Sequence, residues 1–192
     1  MIRAEEILTN HAPQFKELQG EFYRSTQAKL KINKAADYRE KKCPKEALKL
    51  YFEVLKYYES IRKASLDLVD LHIHIGNCYR DVNKYELAKN TFEKAEGILI
   101  NLDGDNTKLL QMGHIKAALA CVYMNLSQSQ DKQDLELLLK AKEYHKSALE
   151  LFDQNEGGQY YKKIQLANWK ALNNSYGNGT SVGKKRFALR LR

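Results

Sequence analysis

Apolar residues recur along this chain at helical spacing, within long segments rich in Ala, Leu, Lys, Glu and Gln, residues that favour helix. The clearest pattern begins at Ile75-Gly76-Asn77-Cys78-Tyr79 and continues with Tyr85, Ala88, Phe92 and Ala95. From Gly76 these fall at +3, +9, +12, +16 and +19. Small residues at Gly76 and Ala88 let two helices cross closely, aromatics fill the space on either side, and Ala95 is placed to meet a following hairpin. One such unit cannot bury its apolar faces alone, so the pattern predicts several units stacked together.

The same spacing appears upstream, with Ala35 in the Gly position, then Tyr38, Ala47, Tyr51 and Val54. Lys34 replaces the expected aliphatic residue there and predicts a partly solvated face. Downstream, Leu119-Ala120 and Tyr123 open a third unit, whose second helix is delayed by a polar insertion at 127–134 and resumes with Ala141, His145 and Ala148. A fourth first helix carries Trp169, Leu172, Asn173 and Tyr176, with Asn in the Gly position. The Gly-equivalent positions are 41, 44 and 53 residues apart. The expected helices are a cap from about Pro13 to Gln27, with Thr9 or Asn10 near its start. Hairpins follow over about Ala28–Arg62, Ser65–Ile100 and Thr107–Asp153. Breaks are expected at Cys43-Pro44, at Leu102-Asp-Gly-Asp-Asn106 with Asn106 as a candidate N-cap, and at Glu156-Gly-Gly158.

These positions resemble the tetratricopeptide repeat, whose pattern is an aliphatic-Gly pair, an aromatic, then Tyr, Ala, aromatic and Ala; the last segment resembles its Trp-x-x-Leu-Gly-x-x-Tyr form. The long units are similar to the branch of that family with about 40 residues per repeat, as in Pins-type spindle-orientation proteins, kinesin light chains and Tonsoku-like proteins. The insertion in the third unit, followed by Lys-Ala-x-x-Tyr-His-Lys-Ser-Ala-Leu-Glu-Leu, is similar to the N-terminal repeats of Tonsoku-like proteins, nuclear scaffolds linked to histone handling and replication-fork repair. The resemblance implies an all-α fold, a right-handed superhelical solenoid of helical hairpins. It also implies an organisation into an N-terminal capping helix (1–27), a repeat array of three hairpins and the first helix of a fourth (28–176), and a basic C-terminal tail (177–192).

Composition agrees with a helical core: 43% apolar and 10% aromatic residues, with only two prolines in 192 residues. The net charge of +8 is uneven. Gly183–Arg192 holds five positive charges and no acid, so the rest of the chain is only +3. A nucleic-acid-binding body is therefore disfavoured. Cys43, Cys78 and Cys121 are widely spaced and include no CxxC pair, unlike a secreted disulfide framework. An acidic N-terminus without an apolar run predicts no signal peptide, no membrane span and a soluble intracellular protein, cytoplasmic or nuclear.

In the resembled family, the first helix of each hairpin lines an inner groove that holds a peptide or helix of a protein partner. The positions that should face it are Lys29, Ile32, Ala36 and Arg39, then Asp70, Ile73, Asn77, Arg80 and Asp81, then His114, Ala117, Cys121, Met124 and Asn125. Asn77 directly follows the Gly, where the resemblance implies an amide contact with a ligand backbone. The chaperone-binding members hold a C-terminal carboxylate with Lys, Arg and Asn. The matching positions here are Ile32, Ala36, His74 or Asn77, His114 and Ala118, so no carboxylate clamp is expected. The wall mixes Lys29, Arg39 and Arg80 with Asp70 and Asp81, which suits a peptide carrying both charges better than a phosphate backbone.

His74 and Cys78 share a helix face but lack further ligands in any metal-binding spacing, and packing is the expected role. Gly177-Asn-Gly179 and Gly183-Lys184 do not meet the phosphate-loop spacing, and no preceding strand is legible. The expectation is a non-catalytic scaffold without metal or cofactor. Two further elements stand at the C-terminal end. Trp169 and Tyr176 form an edge without a recognisable covering helix, a place for a partner or for self-association. Lys184, Lys185 and Arg186 lie in the basic run, which supports an alternative as an RNA- or DNA-binding repeat protein acting through its tail.

Overall fold

The computed structural model describes residues 2–61, 64–103, 106–128, 134–155 and 157–177, with backbone alone for 2–18, 172 and 175–177. Among them every regular element is helical: α1 (Ile2–Glu40), α2 (Pro44–Ile61), α3 (Leu66–Asp81), α4 (Tyr85–Ile100), α5 (Asn106–Leu126), α6 (Leu135–Asp153) and α7 (Gly158–Gly177). The contacts divide the chain into two units, Met1–Lys63 and Ala64–Arg192.

The first unit is one hairpin, α1 on α2. Pro44 opens α2, where its missing N–H has no intrahelical partner to lose. Ala35 and Ala47 are fully buried, while Lys34 is exposed. Lys31 on α1 pairs with Glu53 on α2 at 2.6 Å. The expected break between a cap ending at residue 27 and a hairpin helix starting at residue 28 is not present, because residues 2–40 form one helix. Within 19–40 the only helix breaker is Gly20, and a single interior glycine costs about 1 kcal/mol, too little to end a long helix. Phe22 (76%) and Tyr23 (64%) on this extension are exposed.

The turn that ends α1 and the turn that ends α3 are the same structure 41 residues apart. Lys42 and Asn83 adopt left-handed φ values of 58° and 60°. In the first turn, Lys42 N–H donates to the Arg39 carbonyl (2.9 Å) and Cys43 N–H to the Tyr38 carbonyl (2.8 Å). In the second, Asn83 N–H donates to Arg80 (2.9 Å) and Lys84 N–H to Tyr79 (2.9 Å). This paired 5→2 and 6→1 arrangement is a Schellman C-cap, which satisfies carbonyls that the helix end would otherwise leave bare. The shift of 41 equals the Ala35-to-Gly76 spacing.

In the second unit α3 pairs with α4 and α5 with α6, while α4 meets α5 and α6 meets α7. A Cβ placed on Gly76 would lie 2.7 Å from the Phe92 ring, and one on Gly113 would lie 2.6 Å from the Phe152 ring. Glycine at these points lets each helix approach an aromatic ring of its hairpin partner. The pairs Gly113–Phe152 and Tyr123–Tyr144 run α5 and α6 antiparallel, and Asp153–Lys162 with His145–Trp169 do the same for α6 and α7. Helix α5 buries residues on most of its faces, among them Ile115, Leu119, Val122 and Met124. That breadth of apolar surface marks a helix covered on several sides, and α5 touches α3, α4, α6 and α7. On one seam Lys116 pairs with Glu96 and lies 4.9 Å from the Tyr144 ring, which stacks on Tyr123.

Caps follow the local chemistry. The Ser65 side chain accepts from Leu68 N–H, and Asp134 accepts from Glu136 and Leu137 N–H at the start of α6. Asn106 begins α5 itself, and its carbonyl accepts from the Asn155 amide (2.6 Å). That bond ties the α6–α7 turn to the start of α5.

Candidate functional site

Alternate helices of the second unit also touch, α3 with α5 and α5 with α7. Because each intervening helix runs antiparallel to its neighbours, the three run parallel, and their side chains form one wall. The Asp70 carboxylate accepts from the Gln111 amide at 2.7 Å, and His114 meets the Tyr161 ring edge-on with centroids 4.4 Å apart. Each helix contributes a stripe on one face: Asp70, Ile73, Asn77 and Arg80 from α3; His114, Ala117, Ala118 and Cys121 from α5; Tyr161, Ile164, Gln165 and Asn168 from α7. Together with Phe152 they line a cleft of about 280 Å³.

The cleft is charged at two separate places. Asp70 lies near its start, where burial holds the carboxyl above its usual range, the Gln111 hydrogen bond opposes that shift, and the neighbouring Asp67 adds to it. Arg80 lies at the other end, with the Asp81 carboxylate 4.0 Å from its guanidinium. Burial lowers the affinity of His114 for a proton, so the ring is neutral at physiological pH. Burial likewise raises Cys121, with Arg80 opposing, which keeps the thiol protonated and a poor nucleophile. Beneath the cleft, the buried amide of Gln165 bonds to His145 Nδ1 (3.1 Å), and His145 stacks on Trp169 with centroids 4.2 Å apart and planes 6° apart. Burial pushes His145 down to about 4.

Of the residues expected on the groove, Asp70, Asn77, Arg80 and His114 share this cleft, as do Ile73, Ala117 and Cys121. Lys29 is exposed and Arg39 half-buried on α1 of the first unit. Met124 is buried in the core, and the Asn125 amide donates to the Cys121 carbonyl of its own helix (2.7 Å). Trp169 presents a face to His145 and packs against the core cluster. Tyr176 lies on α7, with its side chain outside the described residues. Lys184, Lys185 and Arg186 also lie outside them. His72 and His74 are half-buried, Cys78 is buried, and among the described residues no three His, Cys, Asp or Glu side chains are grouped to hold a metal. Among them also no helix is long and apolar enough to cross a membrane.

The α7 stripe is absent from the sequence-based site. Its signal is the i, i+3, i+4, i+7 series from Tyr161, together with Leu166-Ala167-Asn168, an aliphatic-small-Asn triplet like Ile75-Gly76-Asn77. The Trp169 match draws the register six residues later, to Asn173, whose buried side-chain carbonyl oxygen has no hydrogen-bond partner among the described residues. No protein-family model matches the chain, and neither does any curated protein or solved structure.

Proposed function

We propose that this chain is a non-catalytic scaffold of the tetratricopeptide type, a solenoid of long helical hairpins that binds a peptide segment of a protein partner along the wall of α3, α5 and α7. The observation that carries the reading is the cleft itself. Four polar residues picked by repeat register alone, Asp70, Asn77, Arg80 and His114, line one concave surface with apolar side chains between them. Such a surface, apolar with a few convergent polar groups, is a usual form for a binding site. The identical helix-ending turns 41 residues apart and the close approach of Gly76 to Phe92 support the repeat architecture. A nuclear scaffolding role of the Tonsoku-like kind belongs to the same reading and rests on the resemblance of the third unit.

The test is affinity capture with the full chain, followed by the same capture with Asn77→Ala and with Arg80→Glu. A groove partner is lost with each variant while the far-UV circular dichroism and the melting midpoint stay unchanged. A partner retained by both variants places the binding surface elsewhere and overturns the reading.

A further inference from the structure

The placement of charge in the cleft specifies its occupant more narrowly, on the premise that the cleft binds peptide. Asp70 and Arg80 stand ten residues apart on one face of α3, about 15 Å along the helix axis at ~1.5 Å per residue. Between them lie Ile73 and Asn77, faced by Ala117 and Ile164. The acidic end is reinforced by Asp67, close enough to act on Asp70. At the far end Arg80 keeps donors to spare: a guanidinium has five N–H groups in a fork, and Asp81 approaches it only to 4.0 Å.

An extended chain advances about 3.3 Å per residue, so about four to five residues cover the distance from Asp70 to Arg80. A helical ligand needs about ten residues for the same span and is about 10–12 Å across, so it lies over the cleft and turns only every third or fourth side chain towards it. An extended segment inserts alternate side chains and leaves its backbone amides at the level of Asn77. We infer that this cleft recognises an extended peptide with a Lys or Arg at the Asp70 end, an Asp or Glu about four to five residues away at the Arg80 end, and an apolar side chain between them seated against Ile73, Ala117 and Ile164. Opposite charges at fixed separation select both spacing and direction, because a reversed or shortened segment brings like charges together or leaves one uncompensated.

The probes are end-capped, fluorescein-labelled peptides in two orders, Lys before Glu and Glu before Lys. Each has one central Leu in a Ser/Gly background, and the separation of the charged residues runs from about two to about ten. Binding to the full chain is read by fluorescence anisotropy. The expected result is an optimum at a separation of about four to five in one order, with at least about a tenfold loss two residues to either side. The charge-swapped chain, Asp70→Arg with Arg80→Asp, is expected to prefer the opposite order, and the milder pair Asp70→Asn and Arg80→Gln to flatten the preference in a chain of unchanged circular dichroism. An optimum near ten residues identifies a helical ligand and overturns the inference. So does affinity that ignores spacing and order, or an absence of peptide binding. In any of these cases, a captured partner that still depends on Asn77 and Arg80 leaves the broader binding function standing; one that does not removes both.

Discussion

Replacing Gly76 with alanine and replacing Gly97 with alanine add the same methyl group to the interior of two adjacent helices, and the structure assigns the two changes opposite signs. In both places alanine gains about 0.5–1 kcal/mol of helix propensity over glycine. At Gly97 the new Cβ meets nothing within 4 Å, so the gain is kept whole. At Gly76 it would stand 2.7, 2.8 and 2.9 Å from three carbons of the Phe92 ring, which is fully buried and held on every side. Overpacking of this kind costs about 1–3 kcal/mol, so the net effect at Gly76 is a loss of up to about 2 kcal/mol. Urea and thermal unfolding followed by far-UV circular dichroism read both changes. Gly97→Ala should raise the midpoint and Gly76→Ala should lower it, each by a few degrees at most for a domain of this size. Phe92→Leu shortens the obstructing ring, and combined with Gly76→Ala it should destabilise by less than the two single losses added together, the non-additivity expected of touching residues. Equal stabilisation by both glycine replacements would refute the close crossing of α3 and α4 on which the placement of Asn77 depends.

His145 binds its proton at about 4 when folded, against about 6.5 when unfolded; the unfolded chain therefore takes up the extra proton, and stability falls as pH drops from 6.5 towards 4, by roughly 3 kcal/mol at most. His145→Phe keeps a ring against Trp169 and should flatten that part of the pH profile in denaturant titrations, and an unchanged slope would contradict the buried neutral imidazole. Asp70 has the opposite sign: its folded carboxyl titrates above the unfolded value, so the stability it contributes at low pH is lost as pH rises through the folded value. Asp70→Asn retains an acceptor for Gln111 and should be at least as stable as the parent at pH 7, and a lower urea midpoint there would count against the partial desolvation of this carboxylate. Finally, Lys42 occupies a left-handed conformation at φ 58°, so Lys42→Gly should stabilise by about 1 kcal/mol. Asn83→Gly should gain less, since Asn tolerates that region, and thermal melts rank the pair.

Much of the helical architecture was legible in the sequence because it depends on local chemistry. Pro44 opens α2, the second hairpin starts at about Ser65, and the small and aromatic positions around Gly76 fall at a helix crossing. Spacing also placed Asp70, Asn77 and Arg80 on one face of α3, since residues three, seven and ten apart share a face whatever surrounds the helix. The neighbours of each face were not legible. Periodicity does not distinguish Cys121, which reaches the cleft, from Met124, which is buried one turn later. It does not reveal that Asn125 bonds back to its own helix, or that Trp169 lies flat on His145. Nor does it show that residues 2–40 continue as one helix where a boundary was expected at 27 and 28. The largest omission was the α7 wall, where Tyr161, Ile164 and Asn168 face α3 and α5 across the cleft. A repeat register anchored on Trp169 and Asn173 runs past them. The amino-acid order by itself determined which segments coil and which side chains share a face. Only the tertiary structure decided which faces meet, because that depends on crossings such as Gly76 on Phe92 and Gly113 on Phe152, where close packing between distant segments sets the register of one helix against the next.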